Sequence, residues 1–320
     1  MIMSIIFLAI GFVLLIKCAE VFVDGASSVA KNLKIPATVI GLTVVAFGTS
    51  APELAVSISA HLSGSTDVMV GNVIGSNIVN ILLILGLAAV IVPIKINHIA
   101  VNKELPILTL ITVGMAVLFA DSVFTTDAPN ALTRGDGIIL LLLFAVFVYY
   151  LFTLIRSSGT LIEENEIKAK YKPLMSVVAT IIGVTGIIIG SKLAVDGAVG
   201  VAGNLGISEK IISLTIIAIG TSLPELITTV IAARKKETSL ALGNIVGSNI
   251  FNICVVLGLP IAVFGGVVPS AFNLVDILVM ITAALILFLC ASTHRRITRA
   301  EGLSMLALFV VYYALLFVIS

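Results

Sequence analysis

Stretches of apolar residues, each about twenty residues long, recur along almost the whole chain, and they constrain the fold more than any other feature. A helix needs about 20 apolar residues to cross the hydrocarbon core of a bilayer. Ten stretches meet this requirement: 3–23, 36–60, 68–93, 104–120, 135–155, 174–195, 208–233, 239–265, 271–292 and 301–319. Only 11% of the residues are charged, too few to cover the surface of a water-soluble protein. We therefore predict an all-α membrane protein with ten transmembrane helices.

The chain contains an internal duplication. Residues 41–54 read GLTVVAFGTSAPEL and residues 213–226 read SLTIIAIGTSLPEL, while VGNVIGSNIVNILLILGL at 70–87 matches LGNIVGSNIFNICVVLGL at 242–259. The offset is 172 residues throughout, and Asp24 and Asp196 keep it as well. A constant offset across separate motifs indicates a repeat. We predict two five-helix repeats, 1–155 and 174–320, joined by a linker at 156–173.

Lysine and arginine residues predict how the helices are oriented. If the helices alternate, fourteen of these residues lie in loops on one side of the membrane and three on the other, which places the first side in the cytoplasm. Both termini then lie outside, and the linker is cytoplasmic. Because each repeat has an odd number of helices, the second enters the membrane inverted relative to the first, as in many transporters. The expected location is the cell (inner) membrane.

Each repeat places one glutamate in a broken helix. Pro52 and Pro224 interrupt the second and seventh spans, because proline lacks the N–H that a helix needs. Glu53 and Glu225 follow them directly. A carboxylate near the bilayer centre costs at least ~2.5 kcal/mol, and these spans contain no lysine or arginine except Lys210 at the very start of the seventh span. Bound cations or protons must therefore compensate the charge.

Further oxygen-bearing side chains accompany the glutamates. The spacing of Thr49 and Ser50 allows their hydroxyl groups to share a helix face with Glu53. The following span of each repeat adds a polar stripe, made of Asn72, Ser76, Asn77 and Asn80, and of Asn244, Ser248, Asn249 and Asn252. These polar residues either bind ions or bond neighbouring helices to each other. A set made only of oxygen ligands favours hard cations such as Ca²⁺ and Na⁺.

The GTSxPE and GNxxGSNxxN segments resemble the α-repeats of the cation/Ca²⁺ exchanger superfamily, the sodium/calcium exchangers in particular. The resemblance implies a Na⁺/Ca²⁺ antiporter that works by alternating access, in which spans 1 and 6 slide against the rest. It also implies the metal ligands, which are Glu53, Glu225, Thr49, Ser50, Thr221, Ser222, Ser76, Asn80, Ser248 and Asn252, with backbone carbonyls from Ala46 and Ala218. The K⁺-dependent branch has aspartate at the position of Asn252, so this amide disfavours K⁺ co-transport.

Other functions fit the sequence less well than Na⁺/Ca²⁺ exchange. Exchange coupled to H⁺ or dependent on K⁺ is the alternative within transport, because either glutamate could carry a proton. A channel fits poorly with a broken site inside inverted repeats. Catalysis is not expected, because the motifs contain no nucleophile–base pair. We also expect no cofactor, no nucleic-acid binding and no obligate protein partner; the expected partners are the transported Ca²⁺ and Na⁺ and the lipid bilayer.

Overall fold

A computed structural model describes residues 1–121, 130–157, 169–205, 218–269 and 274–319. Within these ranges the chain is helical apart from loops and short strand pairings. The helices, numbered α1 to α12, are Ile2–Leu33, Ala37–Thr49, Ala51–Leu62, Thr66–Ile91, Ala100–Phe119, Arg134–Ser157, Pro173–Asn204, Ala218–Gly220, Leu223–Arg234, Thr238–Phe264, Leu274–His294 and Arg299–Ile319.

Eight of the described helices are long and apolar enough to cross a membrane, and α2 and α3 form one further bent span. Their axes differ by 46°. The predicted span 208–233 lies partly outside the described residues, and its described part is α8 and α9. The membrane-protein class is therefore confirmed, whereas the count of ten and the division into 1–155, 156–173 and 174–320 stay predictions.

The two helices with the polar stripes lie at the centre of the molecule. The most apolar windows of α4 and α10 are 72% and 83% buried, whereas that of α6 is only 22% buried and faces outward. The first and last helices of the fold are peripheral in the same way. The burial of α4 and α10 explains how asparagines and serines can be held away from both lipid and water.

The long helices α1 and α7 pack against each other in antiparallel directions. Small residues permit the contact: a side chain at Gly183 would overlap the backbone of Phe22, and one at Gly190 would overlap the backbone at Leu15. Close approach of backbones at glycine is a common way for membrane helices to associate, because lipid provides no hydrophobic force between them.

Helices α1 and α7 are each about ten residues longer than predicted, because 3–23 and 174–195 stop where polar residues begin. Helix α1 runs to Leu33 and α7 to Asn204. The sequence prediction was wrong at these ends, and it assigned Lys31 to a loop. The last turns of α1 remain helical because their polar side chains are bonded to neighbouring segments, as with Ser27 and Glu237.

Three further features were not predicted from the sequence. Among the described residues, π-helical turns lie at Gly41–Val45, Val79–Leu85, Ala100–Glu104 and Asn252–Leu257. Strands β1 (Ile94–Lys95) and β2 (Arg296–Ile297) pair in antiparallel fashion. An isolated bridge joins Leu132 and Val267. The strands are two residues long, so apolar periodicity could not reveal them.

Candidate functional site

The chain breaks in the same way in both repeats. Ser50 precedes α3 with φ −87° and ψ 10°, and Ser222 precedes α9 with φ −88° and ψ 7°. Pro52 and Pro224 lie in the first turns of these helices, where a missing N–H is tolerated. In the second repeat, the hydroxyl of Ser191 donates a 3.1 Å hydrogen bond to the Gly220 carbonyl. The helix is therefore interrupted directly before Pro52 and Pro224, where the sequence predicted a break.

The two glutamates are completely enclosed and lie near each other. Glu53 is 1% exposed and Glu225 is 0% exposed, and each carboxylate is close enough to feel the charge of the other. Each glutamate lies in the first turn of its helix. The positive end of the helix dipole at that position favours a negative charge.

Serines from one repeat bind the glutamate of the other. The Ser50 hydroxyl donates to Glu225 Oε1 over 2.8 Å, and the Ser222 hydroxyl donates to Glu53 Oε1 over 3.4 Å. Each serine therefore has its glutamate partner in the opposite repeat. The helix does not continue through Ser50, so the spacing rule for a continuous helix does not apply to it.

The threonines follow the same crossed pattern. Thr49 and Ser248 lie within hydrogen-bonding reach of Glu225, and Thr221 within reach of Glu53. The Thr49 hydroxyl also donates to Asn244 Oδ1 over 3.1 Å. Thr49 therefore also reaches partners in the opposite repeat.

The second span of each repeat supplies further oxygens to the same centre. Ser222 Oγ lies 3.5 Å from Ser76 Oγ, and the Ser248 hydroxyl lies 3.5 Å from the Ala46 carbonyl. The Asn80 amide donates to Asn249 Oδ1 over 3.3 Å. Ala218 is the first residue of the short helix α8, next to the second break. Asn80 and Asn252 both stand at π-helical turns, which are frequent at functional sites.

Several acceptor oxygens in this centre have no hydrogen-bond partner within the described part of the chain. They are Oε2 of Glu53, Oε2 of Glu225, Oδ1 of Asn80 and Oδ1 of Asn252. Buried polar atoms are normally satisfied, and an exception calls for an explanation such as a bound ion. Contributions from both repeats to one enclosed set of acceptors create a site that attracts cations.

Two asparagines act mainly within the scaffold. Asn72 donates to the Ser57 hydroxyl and to the Glu53 carbonyl, both over 2.9 Å. Asn244 donates to the Thr229 hydroxyl over 2.9 Å. The sequence analysis missed Ser57 and Thr229, although their positions also differ by 172 residues. That shared offset was the signal that could have identified them.

Basic residues are absent from the site among the residues described. The described ion pairs join Lys17, Lys31, Lys170 and Lys235 to acidic residues other than Glu53 and Glu225. The described ranges also contain no group of three or more His, Cys, Asp or Glu residues that could hold a metal ion. The donor set therefore consists of two carboxylates, hydroxyls, amides and carbonyls, as suits a hard cation.

A cavity of about 760 Å³ reaches the helix breaks from one end of the molecule. Pro52 and Thr221 line its inner part, and Ser63 and Ser65, beyond the end of α3, line its outer part. Asp196 on α7 lies along its wall. The cavity gives the edge of the site a connection to the surface of the molecule.

Comparison with known proteins agrees with this arrangement. The family model described as sodium/calcium exchanger protein matches residues 3–153 and 175–318. CaxA of Alkalimonas amylolytica, which is named as an antiporter, is 42% identical over 99% of both chains. The sodium/calcium exchanger MaX1 of Methanosarcina acetivorans is 32% identical, again over 99% of both chains.

A solved structure of the sodium-calcium exchanger NCX_Mj has a TM-score of 0.84 with this fold at 34% sequence identity, and the match covers 98% of both chains. The family match extends over most of both repeats, and the structural match covers nearly the entire chain. The resemblance predicted from the two motifs is confirmed, and the chain belongs to the sodium/calcium exchanger family.

Proposed function

We propose that this protein is a secondary antiporter that exchanges Na⁺ for Ca²⁺ by alternating access. The observation that carries the proposal is the crossed pair of hydrogen bonds, from Ser50 to Glu225 and from Ser222 to Glu53. Each repeat contributes half of one acceptor-rich site, so a cation held there contacts both halves at once. Under this proposal the protein is a carrier, and it has neither a catalytic role nor a cofactor.

The charge of the site explains exchange. Two carboxylates match one Ca²⁺ or two or more Na⁺, and leaving both buried carboxylates without a cation is costly. The site therefore releases one kind of ion when the other replaces it. The proposed ligands are Glu53, Glu225, Thr49, Ser50, Thr221, Ser222, Ser76, Asn80, Ser248 and Asn252, with the carbonyls of Ala46 and Ala218.

The proposed architecture is ten spans in two inverted five-helix repeats. The protein lies in the cell (inner) membrane. Both termini lie on the outer side of this membrane, and the linker lies in the cytoplasm. The loop composition supports this orientation. The cavity that ends at Ser63 and Ser65 then opens to the outside, so the proposed conformation is outward-open.

The test is Ca²⁺ flux in proteoliposomes. Vesicles loaded with Na⁺ and diluted into Na⁺-free medium should accumulate Ca²⁺, and vesicles without a Na⁺ gradient should not. Ca²⁺ flux that follows a pH jump in Na⁺-free medium would identify H⁺, and not Na⁺, as the coupling ion. A strict requirement for K⁺ would assign the chain to K⁺-dependent exchange. Ca²⁺ flux indifferent to all three ions would contradict antiport.

A further inference from the structure

Three ion pairs tie the last turns of α1 to two other segments. The Asp24 carboxylate binds the Lys170 ammonium over 2.6 Å and the Lys235 ammonium over 2.5 Å. The Lys31 ammonium lies 3.0 Å from Glu237. These three ion pairs are called the strap here, and the end of the molecule that carries them is called the linker end.

Hydrogen bonds reinforce the strap. The Ser28 hydroxyl accepts from the backbone N–H groups of Lys170 and Tyr171, over 3.1 and 3.2 Å. The Ser27 hydroxyl donates to Glu237 over 2.7 Å. The side chain of Asp24 is only 17% exposed, so its charge is less screened than that of a fully exposed pair. The hydrogen bond to Asp24 raises the pKa of Lys170, because the carboxylate stabilises the charged ammonium.

The strap connects α1 to the helices that hold the site. Lys235 directly follows α9, which carries Glu225, and Glu237 directly precedes α10, which carries Ser248. Access from the linker end to the gap between α1 and these two helices therefore requires the strap to break.

The sequence repeat does not reproduce the strap residues at the opposite end of the molecule. At the 172-residue offset, Asp24 corresponds to Asp196, but Lys235 and Glu237 correspond to Ser63 and Ser65. Lys31 corresponds to a glycine. Ser63, Ser65 and Asp196 all line the cavity instead, and Asp196 makes no ion pair with any residue the structure describes.

We propose that the strap is an asymmetric gate lock, which closes the linker end and makes the ion-free protein rest open at the opposite end. A carrier with equal gates would populate both states similarly, whereas a contact made in only one state shifts the population toward that state. An ion pair of this type shifts such an equilibrium by roughly two- to fivefold. The inference rests on the proposed carrier function, because only a carrier must close one end while it opens the other.

The test uses Lys31→Glu in full-length protein in lipid nanodiscs, in buffer free of Na⁺ and Ca²⁺. Hydrogen exchange at the amides of Lys170 and Tyr171 reports opening of the linker end, because both amides bond to Ser28. Maleimide labelling of Ser59→Cys, with the three native cysteines replaced, reports the cavity that Ser59 lines. Neither readout depends on which ion is carried, so failure of the flux assay and failure of the lock are distinguishable.

Lys31→Glu should raise the rate of hydrogen exchange at these two amides roughly two- to fivefold and should slow the maleimide labelling. Adding Glu237→Lys should restore both rates, because it re-forms the ion pair with exchanged charges. Lys17→Glu is the matched control, because it makes the same charge change on the same helix in an exposed pair outside the strap. Both rates should stay as in the parent.

The lock is refuted if both rates are unchanged in Lys31→Glu, if hydrogen exchange rises while labelling does not change, or if the exchanged pair behaves like Lys31→Glu alone. Asp24→Asn, which removes the shared partner of Lys170 and Lys235, should reproduce the effect of Lys31→Glu, and the absence of any effect would also refute the lock.

Discussion

Ser50 donates a 2.8 Å hydrogen bond to Glu225, a residue 175 positions further along the chain and in the other repeat. The equivalent serine, Ser222, donates to Glu53 over 3.4 Å. Neither repeat therefore completes its own site. The two halves depend on each other in this arrangement, because each glutamate obtains a hydroxyl partner from the opposite half.

The first prediction concerns the two carboxylates. Glu53→Gln or Glu225→Gln should lower Ca²⁺ exchange by about 100-fold or more, because Ca²⁺ affinity depends strongly on the number of charged ligands. The measurement is Ca²⁺ flux in proteoliposomes at matched protein density. Glu20→Gln, on the exposed face of α1, is the control and should transport normally. Near-normal flux in either site variant would show that the substituted glutamate does not bind the transported ions.

The second prediction concerns Asn252, whose amide atoms are buried without a partner among the described residues. Asn252→Asp adds a third carboxylate to the centre and should change the dependence of Ca²⁺ flux on Na⁺ and K⁺. Flux is measured across a series of both ions. If the dependence of Ca²⁺ flux on Na⁺ and K⁺ is identical before and after the substitution, Asn252 does not bind the transported ions.

The third prediction concerns Asn244, which accepts the Thr49 hydroxyl hydrogen and so leaves the oxygen of Thr49 free to face a cation. Asn244→Ala should weaken Ca²⁺ binding by about fivefold, since one net hydrogen bond contributes about 1 kcal/mol. Equilibrium Ca²⁺ binding is the measurement. Asn204→Ala, at an exposed helix end, is the control. Equal affinity in Asn244→Ala and the parent would limit Asn244 to a scaffold role.

The fourth prediction concerns an acid–tyrosine pair that is not among the proposed ligands. The Tyr312 hydroxyl donates to the buried Asp276 carboxylate over 2.9 Å. Tyr312→Phe should destabilise the protein by about 1–3 kcal/mol, because a buried acceptor loses its partner. Thermal unfolding in detergent measures the effect, and Tyr149→Phe, at a side chain that is 71% exposed, is the control. Equal midpoints for the two variants would show that the pair contributes no stability.

The fifth prediction concerns the contact between α1 and α7. Gly183→Ala places a methyl group against the backbone of Phe22 and should cost about 1–3 kcal/mol. Gly114→Ala, where no described atom lies within 4 Å of the new group, should have little effect. Thermal unfolding of both variants tests this contrast. A tolerated Gly183→Ala would mean that the two helices can separate without cost.

The sequence predicted the features that depend on composition and on the repeat. Apolar length predicted the membrane class, and the fixed offset between the repeats identified Glu53 and Glu225. Pro52 and Pro224 predicted the breaks because the covalent structure of proline forbids a regular helix there. These predictions rely on local chemistry, which a sequence displays directly.

The partners of each side chain could not be predicted in the same way. The spacing of Thr49 and Glu53 predicted a shared face, but it could not predict that the Ser50 hydroxyl bonds to Glu225 in the other repeat. The additional turns of α1 were missed because Asp24 and Lys31 resemble loop residues, and only their contacts with Lys235 and Glu237 explain why they remain helical. Contacts between residues about 200 positions apart are not visible in local patterns.

Equilibrium Ca²⁺ binding at increasing Na⁺ concentration tests most directly whether Glu53 and Glu225 form one site for both ions. One Ca²⁺ should bind per protein, rising Na⁺ should displace it completely and with a steep dependence, and Glu53→Gln should weaken the binding of both ions. Ca²⁺ that stays bound at saturating Na⁺, or a Glu53→Gln variant that loses Ca²⁺ binding but binds Na⁺ as the parent does, would contradict a shared site.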